Sequence, residues 1–144
     1  MSNKNAILWT ALSALICAPA LADPKITVVE HAATDTVTDT GAKGDTVGDV
    51  LTFANPVFDA ANKKQVGTDQ GFCVRTEAGK GWECWWTLSL ADGQLTVEGP
   101  FLDKGDSVLA VTGGTGKYTT ARGQMKLHAR DEKGSEYDFV YELQ

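Results

Sequence analysis

Glu136-Tyr137-Asp138-Phe139-Val140-Tyr141-Glu142-Leu143 decides how this chain is read. Side chains of an extended strand alternate faces, so Tyr137, Phe139, Tyr141 and Leu143 share one side. Glu136, Asp138, Val140 and Glu142 share the other, which is mostly polar. Leu95, Val97, Gly99 and Phe101 repeat the pattern within 93–101. Working outward, short alternating segments recur, broken by Gly, Asp, Asn and Lys. They predict strands near 25–32, 48–56, 65–76, 82–90, 93–101, 107–113, 120–130 and 135–143. No segment beyond residue 22 carries an apolar stripe of helical period.

The connections are short. Ala91-Asp92-Gly93 and Glu132-Lys133-Gly134 read as hairpin turns. Residues 33–46, dominated by Thr, Asp, Gly and Lys, read as a mobile loop into the second strand. Asn55-Pro56 reads as a turn or an edge, because proline cannot donate to a sheet ladder. The glycine-rich run Thr112–Gly116 could suggest a phosphate-binding loop, but no helix follows to aim its amides at an anion. It is read as a bend between barrel strands. Hairpin-linked strands leave two open edges unless the sheet closes, and an eight-stranded antiparallel β-barrel removes both. A two-sheet sandwich fits the pattern almost equally well.

The N-terminus is read as an export signal. Lys4 precedes an apolar run over Ala6–Ile16, and Ala20-Leu21-Ala22 offers the small residues of a cleavage site. The run is too short to span a bilayer, which needs about 20 residues. Bulky Ile16 before Cys17 speaks against a lipid anchor there. Residues 1–22 are thus a cleaved signal peptide, and 23–144 form one domain, secreted or periplasmic, with no membrane attachment after cleavage. The formal net charge is −6, and removal of Lys4 makes the remainder more acidic. Such a chain has no electrostatic reason to bind nucleic acid.

Two cysteines follow the leader, Cys73 and Cys84, and an even pair in an oxidising compartment reads as a disulfide. A turn centred on Ala78-Gly79 would set Cys73 opposite Cys84 and Arg75 opposite Trp82, the latter suited to a cation–π contact. That register is left open, since a cross-strand disulfide favours a non-hydrogen-bonded pair and a longer turn would supply one. Cys84 shares its face with Trp82 and Trp86, which read either as packing or as the wall of an apolar cavity. With only His31 and His128 as histidines and no CxxC pair, the spacing offers no metal site, and nothing calls for a cofactor.

Gly48-Asp49-Val50-Leu51-Thr52-Phe53-Ala54-Asn55, Phe58-Asp59, Val66-Gly67 and Gly71-Phe72-Cys73-Val74 resemble the opening of the allene oxide cyclase barrel. Val97–Leu102, Leu109–Gly116 and Gly123–His128 resemble that family's most recognisable block, while Tyr118 and Ala121-Arg122-Gly123 are equally similar to dirigent proteins. The resemblance covers most of 45–143 and has the cast of exported bacterial members with no assigned reaction. It implies a hydrophobic barrel that confines an unstable epoxide and steers ring closure. It also implies that Glu30 is the glutamate that helps charge delocalise, that Asn55 is a water-holding asparagine, and that Cys73 lines the cavity. The match departs at Ala32, where the cyclases carry another asparagine, in a shorter link between Glu30 and Asn55, and in a partner for Cys73.

The expected function is binding of an apolar small molecule, with isomerase or cyclase chemistry by confinement. Glu30 and Asn55 are the expected catalytic residues, and Cys73, Arg75, Trp82 and Trp86 the expected ligand contacts. A carrier, a dirigent-like guide, or an interaction module with a filled barrel are the alternatives. The related families often trimerise, so a homo-oligomer is among the expectations, with no residue here fixing the number.

Overall fold

Strand after strand, the inward phase of the alternation closes on itself. The structure, a computed structural model, describes residues 25–144, so the signal peptide reading lies outside the described residues. Nine strands follow in order: β1 (Lys25–His31), β2 (Thr36–Thr38), β3 (Val50–Asp59), β4 (Gln65–Glu77), β5 (Gly81–Leu90), β6 (Gly93–Leu102), β7 (Ser107–Gly116), β8 (Gly123–Ala129) and β9 (Glu136–Leu143). Each of β3 to β9 pairs antiparallel with its sequence neighbours, β9 pairs with β1, and β1 returns to β3. That last pairing decides for the eight-stranded barrel over the sandwich, because β1 is bonded on both sides. Short β2 adds to the free stretch of β3, with Thr36 opposite Thr52 and Thr38 opposite Val50.

The interior differs along its length. Towards one end, Leu88, Leu95, Val97, Leu109, Val111 and Met125 are all essentially inaccessible and fill the lumen. The turn after β7 seals that end, with Tyr118 buried and its hydroxyl donating to Asp92 at 3.0 Å. Outside, Phe72 and Trp85 face each other across β4 and β5, at 44% and 43% exposure, so Trp85 points away from the lumen as its phase requires.

Several local readings are corrected. Residues 33–46 are no simple loop: they contain β2 and are fastened to the barrel. Asp49 accepts from Thr40 N and Thr46 N, and Asp45 is ion-paired to Arg75. Asn55-Pro56 is not a turn but lies inside β3, Pro56 opposite Thr68, and of the two readings the edge is the one that fits. The reason is directional. The Ala54 N–H points away from β4 to Thr34 Oγ1, and the Pro56 nitrogen, two residues on, faces the same gap between β2 and β1, so no ladder bond is lost. Thr112–Gly116 is not a connection either. It is the second half of β7, bulged where Thr96 pairs with Gly113 and Val97 with Val111.

In the cysteine hairpin the register is Cys73 opposite Cys84 and Arg75 opposite Trp82, then shifts so that Glu77 faces Gly81. The turn is longer than two residues, with Lys80 N donating to Glu77 O and Gly79 at φ 69°. The Cα atoms of the cysteines lie 4.0 Å apart, as a close non-hydrogen-bonded pair requires, and the disulfide is formed.

Candidate functional site

Glu30 ends the inward phase of β1 and is 5% exposed. Asn55, fully buried on the inward face of β3, uses its whole side chain. Its Nδ2 donates to Glu30 Oε1 and to Asp35 Oδ1, both at 2.7 Å. Its Oδ1 accepts from Ala33 N, Thr34 N and Thr34 Oγ1 at 2.9–3.0 Å. Asn55 therefore fixes the chain leaving β1 and holds two carboxyl groups against the barrel mouth.

Asp69 stands directly across the ladder from Asn55 and is fully buried, and its carboxyl meets that of Glu30, the two joined by a hydrogen bond when one of them is protonated. Burial first, and the neighbouring Glu30 charge second, push its carboxyl up to about 9. Burial likewise raises Glu30 to about 7, opposed by the Asn55 hydrogen bond and aided by the charge of Asp35. Both carboxyls are thus held well above the usual carboxylate range, and the titration belongs to the pair. Tyr141, buried beside them with an unpartnered hydroxyl, is pushed well above the ordinary phenol range by burial and then by Asp69. Tyr137 is pushed up to about 12, by burial and then by Glu30.

These groups adjoin a narrow cavity of about 30 Å³. Glu30 and Asp35 supply its acid side, Leu51, Cys73 and Leu127 its aliphatic and sulfur surface, and Phe53, Trp86, Phe101, Tyr137 and Phe139 its walls. Trp86 stacks on Phe139 at 5.6 Å between centroids and meets the edge of Phe53 at 5.8 Å. Its place depends on Gly71, the residue opposite: a Cβ there would lie 2.3 Å from Trp86 Cβ. Phe101, Leu127 and Tyr137 also border a wider hollow between the loops that follow β6 and β8. Among the described residues, no three His, Cys, Asp or Glu side chains are grouped to hold a metal ion.

The predicted residues separate into two groups. Glu30, Asn55, Cys73 and Trp86 come together at the cavity, with Cys73 there as a disulfide sulfur and not a thiol. Arg75 and Trp82 do not line it. The Arg75 guanidinium lies 3.9 Å above the Trp82 ring, as the register predicts, and is ion-paired to Asp45 and Asp103, each at 2.6 Å. With all of its charge engaged, Arg75 is a clasp between the 39–46 segment and the loop after β6. Asp69 was missed, although it falls in phase with Gly67, Gly71 and Cys73 and so had to point inward. Asp35 and the aromatic residues of β3, β6 and β9 were missed as a set, because they meet only across the closed barrel.

A closed antiparallel barrel, sealed at one end and opening at the other onto an acidic, aromatic-walled cavity, is a cyclase-like or dirigent-like barrel. The chain belongs to the allene oxide cyclase family, whose model matches residues 28–130. Among solved structures it is similar to pyocyanin demethylase, with a TM-score of 0.74 and 24% identity over 84% of this chain and 100% of that one. It is also similar to the pterocarpan synthase dirigent protein PsPTS1, with a TM-score of 0.67 and 19% identity over 84% and 96% of the two chains. For the Diels-Alderase AbmU from Streptomyces koyangensis the TM-score is 0.64, with 15% identity over 85% and 69%. At these identities the likenesses speak for the fold.

Proposed function

We propose that this protein is an exported small-molecule-binding barrel that acts as an isomerase or cyclase, confining a largely apolar substrate and moving a proton through Glu30. The observation that carries this reading is Glu30 itself: a carboxyl at the edge of an aromatic cavity, held by Asn55 and poised at about 7. A group at that value can give or take a proton at neutral pH with little penalty either way. Asp69 behind it takes the other side of the exchange. Confinement supplies the rest, since aromatic walls that fix a reacting conformer lower its entropic barrier. Export agrees with the buried disulfide, which an oxidising compartment maintains. The solved structures it resembles include proteins titled Diels-Alderase, pterocarpan synthase and a heme-binding cyclase of [4 + 2] cycloaddition, which supports ring-forming or ring-directing chemistry.

A non-catalytic carrier or guide is the second reading, favoured by how much of the lumen the protein's own side chains fill. Native mass spectrometry of protein purified from its own host tests both by looking for a co-purified organic molecule. With that molecule as substrate, Glu30→Gln should lower turnover about a hundredfold or more while changing affinity little. Equal loss of affinity and turnover, or loss of neither, assigns the guide role, and a barrel that always emerges empty removes both readings.

A further inference from the structure

We infer that Thr34 is a positioning residue for Glu30: its hydroxyl fixes which way round the Asn55 amide lies, and so which Glu30 oxygen is left to carry the proton. This deepens the proton-transfer reading above and rests on it.

An asparagine amide has nearly the same shape either way round, so its partners decide which end faces a carboxyl. Thr34 Oγ1 accepts from Ala54 N at 2.8 Å. A backbone amide only donates, so the hydroxyl proton points elsewhere, and Asn55 Oδ1 lies 3.0 Å away. Oδ1 also accepts from the Ala33 and Thr34 amides, at 3.0 and 2.9 Å. Three donors meet at that atom, and a reversed amide would turn its NH2 group into all of them. The reversal would also set Oδ1 against Glu30 and Asp35, two carboxyls with nothing to donate when ionised. In the orientation found, both Nδ2 hydrogens are engaged, with Glu30 Oε1 and Asp35 Oδ1, each at 2.7 Å. The chain thus runs one way: Ala54 N–H to Thr34, Thr34 O–H to Asn55, Asn55 N–H to Glu30. Bonds aligned head to tail strengthen one another. Ala54 supplies the first donor because its amide faces the gap between β2 and β1, away from β4.

The consequence falls on Glu30. Its Oε1 is held as an acceptor, so the exchangeable proton belongs on Oε2, the oxygen left for Asp69 and the cavity. Among the donors at Asn55 Oδ1, Thr34 Oγ1 alone belongs to a side chain, so a substitution can remove it. Thr34 is exposed, and a change there disturbs no core packing.

The test follows the Glu30 side-chain carboxyl carbon by NMR from about pH 4 to 10, in the wild type, Thr34→Val and Thr34→Ser. Thr34→Val keeps the shape and removes the donor. It should raise the Glu30 midpoint by about half a pH unit or more, because the Asn55 bond that favours the charged carboxyl is loosened. Thr34→Ser keeps the hydroxyl and should titrate as the wild type does. A valine variant with the wild-type midpoint overturns the inference. So does an equal shift in both variants, which would take the hydroxyl out of the chain. In the wild type alone, the Asn55 Nδ2 protons should exchange slowly with water and keep two separate resonances. A rapidly rotating or exchanging amide overturns the inference even if neither variant folds. None of these readouts uses turnover: a Glu30→Gln protein that stayed fully active would remove the proton-transfer role, while the midpoints would still decide what Thr34 does.

Discussion

The two ends of this barrel solve opposite problems with the same strands. At the sealed end, Leu88, Leu95, Val97, Leu109 and Met125 exclude water completely and leave nothing unsatisfied except geometry to be filled. At the open end, Glu30 and Asp69 are buried as facing acids, beside aromatic rings that do not close over the space. Burying an ionisable group opposes folding, whereas burying aliphatic surface favours it. The sealed end therefore supplies stability, and the open end spends part of it to keep a reactive pair in place.

That division can be broken at either end. Leu95→Ala, deep in the filled half, should lower stability by about 2–5 kcal/mol, read as a lower urea midpoint. It should leave the pH dependence of stability unchanged; a changed dependence would show that the ends are not separable.

At the open end the sign is set by proton uptake. Asp69 and Glu30 have raised values in the folded state, so between their ordinary values and the raised ones the folded protein holds more protons than the unfolded chain. Stability contributed below about pH 4 is thus lost progressively as pH climbs towards 9. The fall from pH 5 to 8 should amount to several kcal/mol, and Asp69→Asn should flatten most of it. Denaturation midpoints across that range measure it, and an equally steep fall in the variant would remove Asp69 from the pair.

The disulfide lies where the two regimes meet. Replacing Cys73 and Cys84 together by Ala should cost about 2–3 kcal/mol, because the short loop between them would be freed in the unfolded chain. Because Cys73 lines the cavity, the same variant should also widen it, seen as a shifted Trp86 indole resonance. The smallest effect belongs outside the barrel: Trp85→Ser on the outer face should change stability by no more than about 0.5 kcal/mol by thermal melting.

The same contrast explains what could be read in advance. Alternation is a local property, so strand positions, the facing cysteines and the Arg75–Trp82 contact were legible from neighbouring residues alone. Pro56 was legible in part: the turn did not form, but its missing donor does face an unpaired edge, the gap between β1 and β2. The site was half legible. Glu30, Asn55 and Cys73 came through the family resemblance and Trp86 through the phase of its strand, but Asp69 passed unremarked inside a predicted strand beside Gly67, Gln70 and Gly71. Its burial and its tie to Glu30 follow from two strands, distant in sequence, being brought side by side. Arg75 shows the converse error: a cation on the inward face was taken for a ligand contact when acidic loops, unpredictable in position, had already claimed it.

The closure between β1 and β3 rests on just Val28–Asp59, Val29–Phe58 and Glu30–Val57, against ten facing positions between β5 and β6. The ring therefore has a seam, and Glu30 is its last stitch. Any loosening of the wall would begin beside the carboxyl, so that the doorway to the lumen and the weakest join of the cylinder are one place.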